Sequence, residues 1–199
     1  MLVLEAAKRL RIPMTFASTC VYSGESARPM REGDAINVRS LYVAQKLYAE
    51  SCVKAYASMF GLSACSLRVF NVYGTDGAPF QILPRIKEAL RTGTPITLTG
   101  DGGQVRDFIH SEDVAAAFCR SIGKTFQGEA FNVGTGTGTS MLELIQMAMA
   151  VTGKQIPIEF TPAKGEEARF LIADTRQAAL SLGFQTSITL EQGLEHILN

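Results

Sequence analysis

The sequence predicts an α/β fold built around a mainly parallel sheet. Short apolar segments that fit strands alternate along the chain with segments of about ten or more residues that fit helices. Hydrophobic residues make up 46% of the 199 residues, enough for a substantial core, and charged residues make up 19%, too few for a disordered chain. No internal repeat or low-complexity linker divides the sequence.

The first half of the chain is predicted to alternate between helix and strand. Apolar residues at helical spacing predict the end of an amphipathic helix over 2–11, and residues 13–18 form a short apolar strand before a polar loop through 34. A helix over 37–59 is expected to end at Gly61, because glycine readily adopts the left-handed conformation that terminates helices. The next predicted elements are a strand at 64–70, a loop at 71–79 and a helix at 80–90.

The second half of the chain continues the same alternation. Residues 95–98 and 105–109 are predicted to be short strands on either side of a glycine-rich turn at 100–103. Ser111 is expected to cap a helix that runs to about residue 122, because a hydroxyl there can accept from free amide groups. The remaining predicted elements are strands at 129–133 and 156–160 and helices at 140–151, 175–182 and 190–198.

Composition excludes several classes of protein. Lys plus Arg and Asp plus Glu both number 19, so the chain lacks the basic charge of a general nucleic-acid binder. No apolar run approaches the ~20 residues that cross a bilayer, and the first residues do not form a signal peptide. The four cysteines are scattered without zinc-ligand spacing, so we expect no metal site and reduced thiols in a cytoplasmic protein.

Tyr42 and Lys46 are the first candidate catalytic residues. They lie four residues apart in a predicted helix, so both side chains share one face. A phenol is a weak base at neutral pH, but a nearby cation favours its charged form and allows it to exchange protons. A tyrosine and a lysine at this spacing also occur on ordinary solvated helices, so the pair alone leaves both interpretations open.

Polar residues also follow the predicted parallel strands, where α/β proteins bind ligands. Ser18 and Thr19 end the first strand, Asn71 follows the second, and Arg106 follows the turn at 100–103. The hydroxyls can bind a substrate alcohol, Asn71 offers an amide donor, and the Arg106 guanidinium suits phosphate oxygens. Each of these features on its own is equally compatible with an ordinary turn.

Together the motifs resemble the extended short-chain dehydrogenase/reductase family, in its NAD-dependent epimerase/dehydratase branch of the UDP-glucose 4-epimerase type. They occur in the family's order over nearly the whole chain. They are L-E-A-A at Leu4, S-T-x-V-Y at Ser18, Y-x-x-x-K at Tyr42 with Glu50, L-R-x-F-N-V-Y-G at Leu67, G-D-G-x-Q-x-R-D-F at Gly100, D-V-A at Asp113, F-N-V-G-T-G at Phe131, L-G-F at Leu182 and G-L at Gly193.

The resemblance implies a role for each candidate residue. Tyr42 would be the catalytic acid and base, Lys46 would assist it and hold the nicotinamide ribose, and Ser18 would be the hydroxyl partner, with Thr19 as the alternative. Further implied contacts are Tyr42, Lys46 and Phe70 with NAD, and Ser18, Asn71, Arg106 and Lys164 with a nucleotide-sugar substrate. Lys164 stands near the position where the family has a second phosphate-binding arginine.

The resemblance also implies an architecture and a partner. We expect a partial Rossmann-like parallel sheet, formed by 1–78 together with 111–138, and a small mixed α/β substrate-binding lobe, formed mainly by 79–110 and 139–199. Full-length family members bind NAD and a nucleotide sugar, and we expect a homodimer or another form of self-association. Neither nucleic acid nor a membrane is an expected partner.

One family feature is not found in the sequence. The strand and glycine-rich turn that hold the dinucleotide pyrophosphate would precede Met1 in the family pattern. The glycine-rich segment 134–140 follows a predicted strand, but its spacing fits neither a dinucleotide fingerprint nor a P-loop, so we predict a turn near the active cleft. Two alternatives to an epimerase or dehydratase therefore stay open: a cofactor-independent hydrolase or nucleotide-sugar-binding module, and an inactive scaffold.

Overall fold

The computed structural model describes residues 1–22, 27–163 and 168–198, and it confirms the predicted α/β class. The helices of these residues are α1 (Leu2–Leu10), α2 (Leu41–Phe60), α3 (Ile82–Thr92), α4 (Ser111–Ser121), α5 (Met141–Thr152), α6 (Arg176–Leu182) and α7 (Leu190–Leu198). The strands are β1 (Met14–Thr19), β2 (Ala64–Val69), β3 (Asn71–Tyr73), β4 (Ile96–Thr99), β5 (Val105–Arg106), β6 (Phe108–His110), β7 (Gln127–Val133), β8 (Thr139–Ser140), β9 (Ile158–Thr161) and β10 (Phe170–Leu171). None of the described helices is long and apolar enough to cross a membrane.

The main sheet consists of three parallel strands in the order β1-β2-β7. All six residues of the central strand β2 are buried, as expected for a strand that helices cover on both faces. On one face α4 and α6 contribute Ala117 and Leu182 to the core, and on the other α1 and α2 contribute Leu4 and Val53. Because the strands are parallel, their carboxyl ends meet at one edge of the sheet, where the candidate catalytic residues were predicted.

A second core lies among α3, α5 and α7. It is built from residues such as Ile86, Leu144 and Leu194, and it also takes in Leu98 of β4 and Phe108 of β6. Short strand pairs border this core: β4 with β9, β3 with β6, and β5 between β10 and β8. The division into a sheet domain and a substrate lobe stays a prediction. Helix α6 packs against the main sheet, although its residues were assigned mainly to the lobe.

The prediction of a loop over 71–79 is wrong for its first three residues. Asn71–Tyr73 forms strand β3, which pairs in parallel with β6. Strands of two or three residues are too short to show an alternating pattern, and their partners lie far away in the sequence. Strands β8 and β10 were not predicted for the same reason.

Among the helix starts that differ from their predictions, those of α2 and α4 are explained by their caps. Helix α2 begins four residues later than predicted, because the Ser40 hydroxyl accepts a hydrogen bond of 3.2 Å from the Val43 amide. Ser111 was predicted to cap α4 but is its first helical residue. The cap is His110, whose Nδ1 accepts the Glu112 amide at 3.3 Å.

Helix α2 approaches β7 closely at Gly128. This glycine has a φ of +91°, a left-handed conformation that residues with a Cβ rarely adopt. A Cβ at Gly128 would lie 2.8 Å from the Cα of Lys54 and 3.2 Å from the Cβ of Ala57, both on α2. The glycine therefore sets how near the helix that carries Tyr42 can lie to the sheet.

Gly128→Ala tests this close packing. We expect it to lower the free energy of unfolding by about 2–4 kcal/mol, because it combines a left-handed alanine with a clash against the backbone of α2. Gly123→Ala is the matched control, since Gly123 has a φ of +77° but nothing within 4 Å of an added Cβ. We expect the control to lose only about 1–2 kcal/mol in the same urea denaturation experiment. Equal losses in the two variants would contradict the close approach of α2 to β7.

Candidate active site

Tyr42 and Lys46 lie together on the first turns of α2. The Ser40 cap places Tyr42 in the first helical turn, where 56% of its surface is exposed. Lys46 follows one turn later, and its Nζ lies 5.6 Å from the centre of the Tyr42 ring. The structure thus places the phenol beside a cation and within reach of a ligand.

Lys46 also joins α2 to the end of β1. Its Nζ donates a hydrogen bond of 2.7 Å to the carbonyl oxygen of Ala17 and lies 5.2 Å from the centre of the Phe16 ring. An ammonium group has three donor positions, so this bond leaves others for a ligand. The Tyr42–Lys46 pair is therefore fixed near the carboxyl end of a parallel strand.

Ser18 and Thr19, the two candidate hydroxyls, have different surroundings. Ser18 is 5% exposed, and its Oγ donates to Oε2 of Glu50 at 3.4 Å rather than to Tyr42. Thr19 is half-buried, and its side chain hydrogen-bonds the neighbouring thiol of Cys20, whose pKa is raised chiefly by burial. The structure thus places Ser18 beneath α2, where its hydroxyl donates its hydrogen bond to Glu50.

A buried polar network extends from Glu50. Its Oε1 receives a hydrogen bond of 2.8 Å from Nε of Arg68, and both side chains are almost fully enclosed. The Nη1 of Arg68 also donates to the Tyr22 hydroxyl at 3.0 Å and to the carbonyl oxygen of Glu32 at 2.8 Å. Tyr22 in turn donates to Oδ1 of Asn132 at 2.5 Å. These bonds link β2, α2, β7 and the loop after β1.

Tyr22 and Tyr42 are suited to different tasks. Burial raises the pKa of Tyr22 to about 12, so its phenol stays neutral and serves as a hydrogen-bonding group of the interior. Tyr42 is exposed beside Lys46 instead. Of these two tyrosines, only Tyr42 is placed to exchange a proton with a ligand.

Asn71 faces a small pocket beside the start of α3. The pocket has a volume of about 170 Å³ and is bordered by Tyr73, Gly77 and Phe108 as well as by the first residues of α3. The Oδ1 atom of Asn71 is buried and has no hydrogen-bond partner among the described residues. Gln81, at the N-cap of α3, makes no side-chain bond to the helix. Unpaired amide groups at a helix start and the Asn71 carboxamide are suitable partners for phosphate or hydroxyl oxygens.

Arg106 lies two residues before Phe108, the residue that pairs with Asn71, but it does not line this pocket. The Asn71 amide donates to the carbonyl oxygen of Asp107 at 3.0 Å, which brings the two predicted motifs together. The Nη1 of Arg106 donates a hydrogen bond of 2.9 Å to the carbonyl oxygen of Val105. The positive charge of Arg106 lowers the pKa of the Cys20 thiol, against the larger rise caused by burial. The structure therefore places Arg106 between the end of β1 and the Asn71 segment.

Phe70 and Lys164 complete the set of predicted residues. Phe70 is only 4% exposed, and its ring stacks on Tyr22 with 6.2 Å between the ring centres. Its side chain lies in a small apolar core, and its contact with a cofactor stays a prediction. Lys164 lies outside the described residues.

The glycine-rich loop after β7 binds a carboxylate of the chain itself. Asp107 is fully buried and accepts hydrogen bonds from the amides of Thr135 at 2.8 Å, Gly136 at 2.9 Å and Ala173 at 3.1 Å. The Thr135 hydroxyl adds a bond of 2.7 Å. Burial raises the pKa of Asp107, and these four donors counteract the rise. The loop amides that would suit a phosphate are therefore occupied.

Glu50 and Arg68 both belong to motifs found in the sequence, but the sequence analysis assigned neither residue a role. A signal was available, because Arg68 is a lone charge in an otherwise apolar strand. Such a residue needs a buried partner of opposite charge. Glu50 is a candidate for that partner, since it lies one helical turn after Lys46 on the same face.

Comparison with known proteins identifies the family. Residues 1–134 match the family model described as "NAD dependent epimerase/dehydratase family". The UDP-glucose 4-epimerase of Mycolicibacterium smegmatis is 30% identical over 187 residues, which cover 92% of this chain and 60% of that protein. The chain spans about three fifths of the length of the curated relatives that it matches.

Solved structures share the fold. The UDP-glucose 4-epimerase of Thermotoga maritima, solved with UDP-glucose, is 28% identical, with a TM-score of 0.92 over 99% of this chain and 66% of that one. The UDP-glucuronic acid 4-epimerase of Bacillus cereus, solved with UDP-glucuronic acid and NAD, is also 28% identical, with a TM-score of 0.89 over 97% of this chain and 62% of that one. Because the family model covers most of the chain and these folds agree, the chain belongs to the NAD-dependent epimerase/dehydratase family.

Proposed function

We propose that this chain provides the proton-transferring and substrate-binding residues of an NAD-dependent nucleotide-sugar 4-epimerase. The observation that carries the proposal is the Tyr42–Lys46 pair, exposed at the start of α2 and fixed to the carboxyl end of β1 by the bond from Lys46 to Ala17. The family shown above supports it, as do relatives that are named UDP-glucose 4-epimerases.

In this proposal Tyr42 exchanges a proton with a hydroxyl of the bound sugar. The Lys46 ammonium lies near the ring and stabilises negative charge on the phenolate, so Tyr42 accepts the proton as the carbon–oxygen bond becomes a carbonyl. NAD, when bound, would supply the redox chemistry at the same carbon as hydride acceptor and donor. Tyr42 then gives the proton back to the sugar oxygen, so protons and electrons balance over the cycle.

The residues present fit one end of NAD. Tyr42 and Lys46 would hold the nicotinamide ribose, because both carry hydrogen-bonding groups at the carboxyl end of the sheet. The loop at Thr135 and Gly136 does not fit the pyrophosphate, since its amides already bind Asp107. We therefore assign only the nicotinamide end of the cofactor to described residues.

The nucleotide sugar is assigned to the region of Asn71 and Arg106. The Asn71 pocket offers the start of α3 and a carboxamide oxygen that has no hydrogen-bond partner in the described part of the chain, and Arg106 adds a positive charge nearby. Lys164 is retained as a further phosphate ligand by resemblance alone. We favour UDP-glucose as the substrate and epimerisation over dehydration, because the sequence relatives include UDP-glucose 4-epimerases and dehydration needs additional acid and base groups to expel water.

We also propose a homodimer that forms through α1 and α2. Leu41, Tyr48 and Met59 are all strongly exposed, and their spacing of seven and eleven residues places them on one line along α2. Helix α1 adds the exposed side chains of Leu2 and Leu10. An apolar surface of this kind is typical of an interface between protein chains. We further propose a cytoplasmic location, which the four free cysteines support.

Titration calorimetry with UDP-glucose tests the substrate assignment. We expect Arg106→Ala to weaken binding by about 1–3 kcal/mol, because a charge-assisted contact to phosphate is lost, and Asn71→Ala by about 0.5–1.5 kcal/mol. Arg91→Ala is the control, since Arg91 is an exposed arginine at the other end of α3 that pairs with Glu88. Unchanged affinity in Arg106→Ala would remove Arg106 from the site, and no binding by the wild-type chain would contradict the proposed function.

Light scattering tests the dimer. We expect a mass of twice the 21.5 kDa of one chain, and we expect Tyr48→Glu to shift it towards the monomer by placing a charge in the apolar line of α2. Leu180→Glu is the control, because Leu180 is an apolar residue with 82% of its surface exposed, against 65% for Tyr48, but lies on α6. A monomeric wild-type chain, or dissociation by the control variant alone, would contradict an interface on α1 and α2.

A further inference from the structure

Three polar residues occupy one face of α2 at intervals of one helical turn. Tyr42, Lys46 and Glu50 lie four residues apart, so their side chains form a line along the helix. Tyr42 is exposed beside Lys46, and Lys46 donates a hydrogen bond to the carbonyl oxygen of Ala17 at the end of β1. The third, Glu50, contacts β1 through Ser18 one turn deeper. The line therefore begins in solvent and ends in the core.

Glu50 is held from two strands at once. Its Oε1 accepts a hydrogen bond of 2.8 Å from Nε of Arg68 on β2, and its Oε2 accepts one of 3.4 Å from the Ser18 hydroxyl on β1. Arg68 is itself tied to Tyr22 and to the carbonyl oxygen of Glu32, so it is held on its other side as well. A helix attached to two neighbouring strands through the two oxygens of one carboxylate cannot rotate about its axis without breaking one of these bonds.

We propose that Glu50 is a positioning residue for the active site, which sets the rotation of α2 and so the direction in which Tyr42 and Lys46 face. The contacts of Glu50 with Arg68 and Ser18 support its effect on the orientation of α2. The effect of that orientation on catalysis rests on the proposed function. Ser18 takes part as a link in this chain of contacts. The Ser18 hydroxyl donates its hydrogen bond to Glu50, so towards a ligand its oxygen can serve only as an acceptor.

The position of Lys46 provides a direct readout of this rotation. Its Nζ lies 5.2 Å from the centre of the Phe16 ring on β1 and 5.6 Å from that of Tyr42 on α2. The Lys46 ε-methylene protons therefore report, by nuclear Overhauser contacts and ring-current shifts, on whether α2 faces β1 correctly. A residue that only stabilised the fold would change the free energy of unfolding and leave these signals unchanged.

The test is an NMR comparison of Lys46 in the wild-type chain and in Glu50→Gln. Glutamine keeps the size of the side chain but loses the charge that holds Arg68, so we expect the Overhauser contacts between Lys46 and the Phe16 ring to disappear. The control is Tyr56→Phe, which removes a hydrogen bond to Glu5 at the far end of α2. We expect the control to lower stability while it leaves the Lys46 signals in place.

A second variant, Glu50→Asp, tests the length of the side chain separately from its charge. Glu50→Asp retains the charge but is too short to reach Arg68 and Ser18 together, so we expect it to lose the same contacts with a smaller loss of stability. Unchanged Lys46 contacts in both Glu50 variants would overturn the proposal, and so would a failure of both variants to fold, because Glu50 would then serve folding alone.

UDP-glucose affinity, measured on the same samples, separates this proposal from the proposed function. We expect it to change less than about twofold in Glu50→Gln, since Asn71 and Arg106 lie on other elements. A larger loss in Glu50→Gln with intact Lys46 contacts would overturn the proposal. If the wild-type chain bound no UDP-glucose, the proposed function would fail while the Lys46 contacts still decided the role of Glu50.

Discussion

The buried ion pair between Arg68 and Glu50 is the interaction on which the arrangement of the site depends. Removing two charges from water is costly, and their attraction offsets this cost only when further hydrogen bonds satisfy the remaining donors and acceptors. Here the Tyr22 hydroxyl, the Glu32 carbonyl oxygen and the Ser18 hydroxyl supply those bonds. Since Ser18 lies on β1 and both Tyr22 and Glu32 lie in the loop after it, the pair fixes the central strand, α2, β1 and that loop relative to one another.

The same principle explains how the rest of the cleft is organised. Asp107 is a second buried carboxylate, and it is satisfied by amides of the glycine-rich loop and of the segment before α6. The glycine-rich loop thus binds a carboxyl group of the chain itself through Thr135 and Gly136. A buried polar group that has no such partner therefore indicates a place where a ligand can bind. The Asn71 oxygen is buried without a bond among the described residues, and we have assigned a ligand to that region.

The sequence was sufficient for the helices and the longer strands and for the proximity of Tyr42 and Lys46, the candidate catalytic pair. Helix ends at Gly61 and Gly93 were predictable, because both glycines adopt the left-handed conformation that ends a helix. The four-residue spacing of Tyr42 and Lys46 predicted their proximity. These features depend on local sequence, which a single chain displays directly.

Features that depend on distant partners were not predictable. Strand β3 exists only because β6 lies beside it, and three residues show no strand pattern of their own. The His110 cap was missed because a hydroxyl residue stood next to it. The lone charge of Arg68 in an apolar strand indicates that it needs a buried partner, but the sequence does not show that this partner is Glu50, 18 residues away, or that Ser18 donates a hydrogen bond to the same carboxylate.

The central claim is that the Tyr42–Lys46 pair carries out the proton transfer in nucleotide-sugar epimerisation. The most direct measurement is the conversion of UDP-glucose to UDP-galactose at saturating NAD, compared among the wild type, Tyr42→Phe and Tyr48→Phe. The account predicts that Tyr42→Phe loses activity by a factor of at least about 100. Tyr48→Phe, which alters an exposed tyrosine of the same helix, should retain activity. Conversion by Tyr42→Phe at the same measurable rate as by the wild type would contradict the claim.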